Sequence, residues 1–145
     1  MILNFTYDSS VSSAPIGFTA VLNSVASFFQ NLFSDSVTIN IAVGYGEVNG
    51  QTLPSGALGS SSSRLAGYSY SQIMSAFSAD AKTATDSSVV ASLPTTDPTG
   101  GHYWVTTGEA KALGLLNSNA NDGAVGFTTS AAFDYDNSNG VTSGQ

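Results

Sequence analysis

Apolar and polar side chains alternate along Ile2-Leu3-Asn4-Phe5-Thr6-Tyr7, Ile2 aside, which predicts a strand. A polar turn follows from Asp8 to Ser13. Ser13 is placed to cap a helix with Pro15 in its first turn, where a missing N–H costs nothing. Phe18, Val21, Leu22, Val25, Phe28, Phe29 and Leu32 then recur every three or four residues. They make one broad apolar stripe, the mark of an amphipathic helix, and Ser34-Asp35-Ser36 ends it. Val37-Thr38-Ile39-Asn40-Ile41-Ala42-Val43 is β-branched and alternating, a second strand with its apolar face on the odd positions.

Beyond Val43 the punctuation changes. Gly44, Gly46 and Gly50 open a long loop expected to span 44–67, with a low-complexity patch at Ser60 to Ser63. Ser69 with Gln72 forms a capping box for a helix through Ile73, Met74, Phe77 and Ala81. Asp86 to Leu93 reads as a short helix stopped by Pro94, and Asp97 to Gly101 as a turn. Tyr103-Trp104-Val105 is extended. Thr106 with Glu109 caps a helix reaching Leu116. Asn117 to Gly123 is a turn, Ala124 to Thr129 and Ala131 to Tyr135 are extended, and a loose tail covers 137–145. The order predicts one α+β domain over 1–145, a small twisted mixed sheet with packed helices.

Composition narrows the function. Of 145 residues only 9% are charged: Lys and Arg number 3, Asp and Glu 10, for a net charge of −7. Three basic residues cannot track a phosphate backbone, so nucleic acid is excluded as a partner. With no Cys and one His, disulfides and a Cys or poly-His zinc site are excluded as well. No apolar run is long enough to span a membrane. A surface polar through Ser, Thr, Asn and Gly suits a secreted, extracellular protein.

Few residues offer chemistry. His102 follows Gly100-Gly101 in a turn, and no G-x-S-x-G elbow accompanies it, so a Ser hydrolase has no support. Gly44-x-Gly46-x-x-x-Gly50 follows a strand, but Leu53-Pro54 opens no helix for a pyrophosphate. Asp134-Tyr135-Asp136-Asn137-Ser138-Asn139-Gly140 has oxygen ligands at alternate places, as a calcium loop does. Asp134 and Asp136 are its candidate ligands, although Asn139 stands where the motif wants Gly and Gln145 where it wants Glu. Asn4-Phe5-Thr6 matches a glycosylation sequon inside a strand. Glu47 and Glu109 are the only glutamates, and no spacing pairs carboxylates for glycoside cleavage.

Several blocks together carry a resemblance: Leu3 to Asp8, Ile39 to Val48, Ser69 to Ile73, Ala91 to Pro94, Tyr103 to Leu115 and Gly123 to Phe127. The chain resembles the N-terminal portion of a family of secreted bacterial zincin-type metalloproteases. The resemblance implies a strand–helix–strand start to a twisted sheet whose last strand is an edge that pairs with extended substrate. That edge would be Ala124, Val125, Gly126, Phe127, Thr128 and Thr129. In the family a helix bearing H-E-x-x-H then supplies two zinc-binding His and the Glu that activates water. No H-E-x-x-H occurs in this chain, so no zinc ligand or general base carries over to any position, and no cofactor is expected beyond the calcium candidates.

The expected function is therefore a secreted zincin-like domain without the zinc site, non-catalytic by itself and acting through contacts with polypeptide. One alternative is the N-terminal half of an active zinc metalloendopeptidase whose H-E-x-x-H segment is missing here. Another is a self-assembling extracellular filament or tube subunit. The partner is correspondingly a second copy, a polymer of copies or a missing C-terminal half.

Overall fold

The computed structural model describes residues 1–136, 138 and 140. The tail expected to be loose therefore lies almost wholly outside the described residues. In chain order the elements are β1 (Ile2–Tyr7), α1 (Phe18–Leu32), β2 (Thr38–Tyr45), β3 (Glu47–Val48), β4 (Gln51–Thr52), β5 (Gly59–Ser63) and β6 (Leu65–Tyr68). There follow α2 (Tyr70–Asp80), α3 (Ala84–Ser92), β7 (Tyr103–Thr106), α4 (Thr107–Ala112) and β8 (Gly123–Phe127). The α+β class expected from the periodicity is the class observed, with a small mixed sheet. The chain forms two compact units: residues 64–118, and the remainder on either side of them.

The first unit is built on a strand–helix–strand start. β1 and β2 run parallel, with Leu3, Phe5 and Tyr7 beside Ile39, Ile41 and Val43. Parallel neighbours need a crossover, and α1 supplies it. β8 joins β2 in parallel on the other side, and β5 closes the sheet antiparallel to β8, giving the order β1-β2-β8-β5.

The alternation in β1 and β2 sends one side of the sheet toward α1. Phe18 and Leu22 pack there against the fully buried Val43, with Phe5, Tyr7, Tyr45, Val125, Phe127 and Tyr135 around them. Phe18 is the centre of this core. Its ring meets Tyr45 and Phe127 edge-on, each at 5.5 Å between centroids, and Tyr135 at 6.3 Å. Such pairs add to the apolar area that three large rings bury.

Helix α1 starts later than the Ser13 cap expectation. Asp8 instead caps a short 3-10 turn over Ser9–Ser13, accepting from the Ser10 N–H at 2.8 Å. Ala14 precedes Pro15 and is extended (ψ 151), as the proline ring demands, so no helix can run through it. Gly17, at φ 99, then turns the chain into Phe18.

The expected loop over 44–67 is also corrected: it holds β3, β4, β5 and the start of β6. β3 and β4 form a short hairpin laid on the sheet face opposite α1. That face is lined by the small residues Ala42, Gly44, Ala124 and Gly126, which is why a backbone can approach it. A Cβ on Gly126 would lie 1.9 Å from the Glu47 carbonyl oxygen. The Gly46 N–H donates to Phe127 O at 2.6 Å and pins the hairpin's base.

In the second unit β6 and β7 pair antiparallel, Tyr68 beside Tyr103. The Ser69–Gln72 capping box opens α2 as expected. A further box, Thr83 with Asp86, starts α3 two residues before the expected Asp86. Thr106 caps α4 by accepting from the Glu109 N–H. Ile73, Ala76 and Ala110 are buried. No helix among the described residues is long and apolar enough to cross a membrane.

Candidate functional site

Two features of the first unit stand out: a carboxyl pair at the C-terminal ends of its parallel strands, and an open strand at one end of its sheet. Asp8 follows β1 and Glu47 follows β2, so parallel pairing brings the two carboxyls to the same end of the sheet. Each shifts the titration of the other. The Glu47 contact and the Ser10 hydroxyl hold Asp8 below the usual carboxylate range. The Asp8 contact, with desolvation, pushes Glu47 above it. Asp8 thus gives up its proton more readily than an ordinary Asp, and Glu47 less readily than an ordinary Glu.

Glu47 is fixed from several directions. The Gly50 N–H donates to its Oε2. Its Oε1 is buried and meets no N–H or O–H donor. Gly44 makes room, since a Cβ there would lie 1.9 Å from that Oε1. Ser10 completes the corner, accepting from the Tyr45 N–H at 2.8 Å. The pair places two carboxyls with mutually dependent titrations where β1 ends and the hairpin begins.

The open strand lies elsewhere than expected. Ala124, Val125, Gly126 and Phe127 belong to β8, which is interior, with β2 on one side and β5 on the other. Thr128 and Thr129 lie just beyond it, and the Thr128 N–H donates to Leu58 O at 2.9 Å. Gly123, Ala124 and Gly126 are small enough for β8 to be flanked on both sides, and the stretch assumed to be loop supplies the flanking strand.

The sheet therefore ends at β5, Gly59-Ser60-Ser61-Ser62-Ser63. Opposed residues of an antiparallel pair alternate between bonded and unbonded. Leu58 and Thr128 are a bonded pair, so Ser60–Gly126 and Ser62–Ala124 are bonded too, on the observed register. Gly59, Ser61 and Ser63 then turn their N–H and C=O groups away from β8, toward the open edge. The edge has no charge and no proline. Sequence reasoning missed it because serine on both faces leaves no alternation; a Gly-flanked uncharged run was the only signal.

The other candidates stay apart. His102 is exposed in the turn before β7. Asn4 Nδ2 donates to Asn40 Oδ1 at 2.9 Å, so the sequon amide is engaged on the sheet. Asp134 and Asp136 turn to local backbone: Asp136 N–H donates to Asp134 Oδ1 and Ser138 N–H to Asp136 Oδ1, both at 2.9 Å. The Ser138 hydroxyl and N–H hold Asp136 below the usual range. Asn139 and Gln145 lie outside the described residues, and among the described residues no group of three or more His, Asp or Glu is placed to hold a metal. No family model, curated protein or solved structure matches this chain.

Proposed function

We propose that this chain is a secreted, zincin-like polypeptide-binding domain, non-catalytic by itself, that takes up an extended partner by strand addition at β5. The observation carrying this reading is the outward row of N–H and C=O groups on Gly59, Ser61 and Ser63. Main-chain bonds along such a row supply affinity without demanding a partner sequence. Natural edges are usually blocked by Lys, Pro or a bulge, and β5 has none of these. The sparse charge supports an extracellular setting. The resemblance to zincins, where a sheet edge pairs with extended substrate, favours a second reading: the same edge holds substrate for a zinc-bearing helix supplied by another segment.

A proline scan tests strand addition. Ser61→Pro removes an outward N–H and leaves the β5–β8 ladder intact, whereas Ser62→Pro breaks that ladder. The probe is a synthetic peptide copying residues 121–129, which include the strand that already pairs with β5. Binding should protect the Ser61 and Ser63 amides from hydrogen exchange. It should vanish in Ser61→Pro at unchanged thermal stability, and with a backbone N-methylated peptide. Equal binding by Ser61→Pro, or no binding by the parent, would overturn the proposal. Zinc-dependent cleavage of unfolded protein by this chain alone would refute its non-catalytic part.

A further inference from the structure

We propose that the cleft between α2 and α3 binds a small amphiphilic cation, a molecule with an apolar body and a protonated amine at one end. This does not depend on strand addition at β5. The cleft has a volume of about 370 Å³. Phe77, Ala81, Val89 and Leu93 form its apolar walls, and Asp80 and Asp86 are its carboxyls. That size, with apolar walls and a few polar groups, is the character of a small-molecule site.

The packing of α3 calls for an apolar body. Isolated helices shorter than about 12–15 residues do not persist in water, and most helices in proteins are held by the face they bury. α3 has 9 residues and buries none of them. Its ends are tied down by the Thr83–Asp86 box and by the Leu93 N–H, which donates to Val90 O. Its middle is not: Val89 is 56% exposed on one wall of the cleft and Phe77 36% on the other. An apolar body between them would supply the packing that α3 lacks.

Charge selects the other end of the ligand. Asp80 and Asp86 stand against one lysine, Lys82, in the link between the helices. Lys82 Nζ lies 3.2 Å from Asp80 Oδ1, with side chains 75% and 44% exposed, so the pair is weak and the lysine can swing away. Asp86 takes the Thr83 and Lys82 N–H groups on a single oxygen, Oδ2, at 2.8 and 3.0 Å. Those two N–H groups hold Asp86 below the usual carboxylate range, so it is ionised at neutral pH. Lys82 is thus a resident cation that marks what the rim accepts, and a ligand ammonium would take its place beside Asp80. A ligand carboxylate would meet two groups of its own sign on a chain of net charge −7.

Titration of the full chain with hexylammonium chloride, hexanol and hexanoate, followed by amide NMR shifts, tests this. Hexylammonium should bind saturably, shift the amides of Phe77, Ala81 and Val89, and slow hydrogen exchange in α3. Hexanol should bind about three-fold more weakly, and hexanoate more weakly still. Lys82→Gln removes the resident cation at a surface position and should tighten hexylammonium binding about three-fold. Ala81→Leu fills the cleft and should abolish binding without lowering the thermal midpoint; the Lys82→Gln readout stands whether or not Ala81→Leu folds. No saturable shift in α2 and α3 would overturn the inference. So would hexanoate binding as tightly as hexylammonium, a Lys82→Gln chain that binds no more tightly than the parent, or a folded Ala81→Leu chain that binds like it.

Discussion

Gly126→Ala probes how the hairpin is seated on the sheet. The new Cβ would lie 1.9 Å from the Glu47 carbonyl oxygen, 2.7 Å from its carbonyl carbon and 3.0 Å from Val48 Cβ. Restoring ordinary contact requires the hairpin to retreat by about 1.5 Å. The colliding atoms are backbone, and the Gly46 N–H bond to Phe127 O ties that backbone down, so no side chain can rotate out of the way. Overpacking of this kind costs about 1–3 kcal/mol. The alanine returns about 0.4–1 kcal/mol by restricting the unfolded chain. The net loss is about 2 kcal/mol, since the rigid contact belongs at the upper end of the range. For a unit of this size that lowers the thermal midpoint by roughly 10 °C. Gly101→Ala is the control: no atom lies within 4 Å of its added Cβ. Circular dichroism melts of both variants decide the matter. A Gly126→Ala chain that melts with the parent, or with Gly101→Ala, would show that the hairpin is not seated on Gly126.

The carboxyl pair predicts a pH profile. Asp8 contributes stability above the ordinary value of 3.8 and loses it as pH falls through its lowered folded value. Glu47 contributes below 4.5 and loses its share as pH rises through its raised folded value. The pair's contribution is therefore greatest in the acid range around those two values and declines as pH rises through the raised Glu47 value. Glu47→Gln removes the titrating carboxyl and should flatten the decline above that value, read as thermal midpoints from about pH 3 to 8; an unchanged slope would show that Glu47 does not set it. Asp122→Ala should lower stability by about 1–3 kcal/mol in urea unfolding, because the buried Asn40 N–H donates to Asp122 Oδ2 at 2.9 Å. Asp122→Asn keeps an acceptor there and should lose less.

The start of the fold was legible because its pattern is local. Leu3, Phe5 and Tyr7 alternate, the α1 stripe has helical spacing, and the Ser69 and Thr106 caps are set by neighbours three residues away. What stayed hidden depends on pairing between distant segments. β5 owes its existence to β8, more than 60 residues on by the register of Gly59 with Phe127. Serine has no preference strong enough to announce a strand by itself. Asp8 and Glu47 read as an isolated turn residue and an isolated glutamate, because only parallel registration of β1 with β2 puts them together. The Ser13 cap failed for a local reason that was visible: a residue before proline avoids the helical region, so Ala14 had to interrupt the helix.

The two ends of the sheet differ in a way that bears on strand addition. β1 is also an end strand, and its start is engaged: the Leu3 N–H donates to Gln30 Oε1 at 3.4 Å, and the Met1 amino group to Phe33 O at 3.0 Å. α1 and the residue after it therefore hold the start of β1. Among the described residues no side chain bonds the outward main chain of β5, at the far end; Asn49 Nδ2 reaches the Ser62 hydroxyl, at 3.0 Å. Serine hydroxyls keep such an edge soluble, because they bond water without closing the main-chain row. Strand addition at β5 and amine binding between α2 and α3 belong to different compact units and share no residue. Substitutions with no shared partners add independently. Ser61→Pro should abolish peptide binding without changing the affinity for hexylammonium, and Ala81→Leu should do the reverse. If either variant moved both readouts, the two sites would have to be coupled.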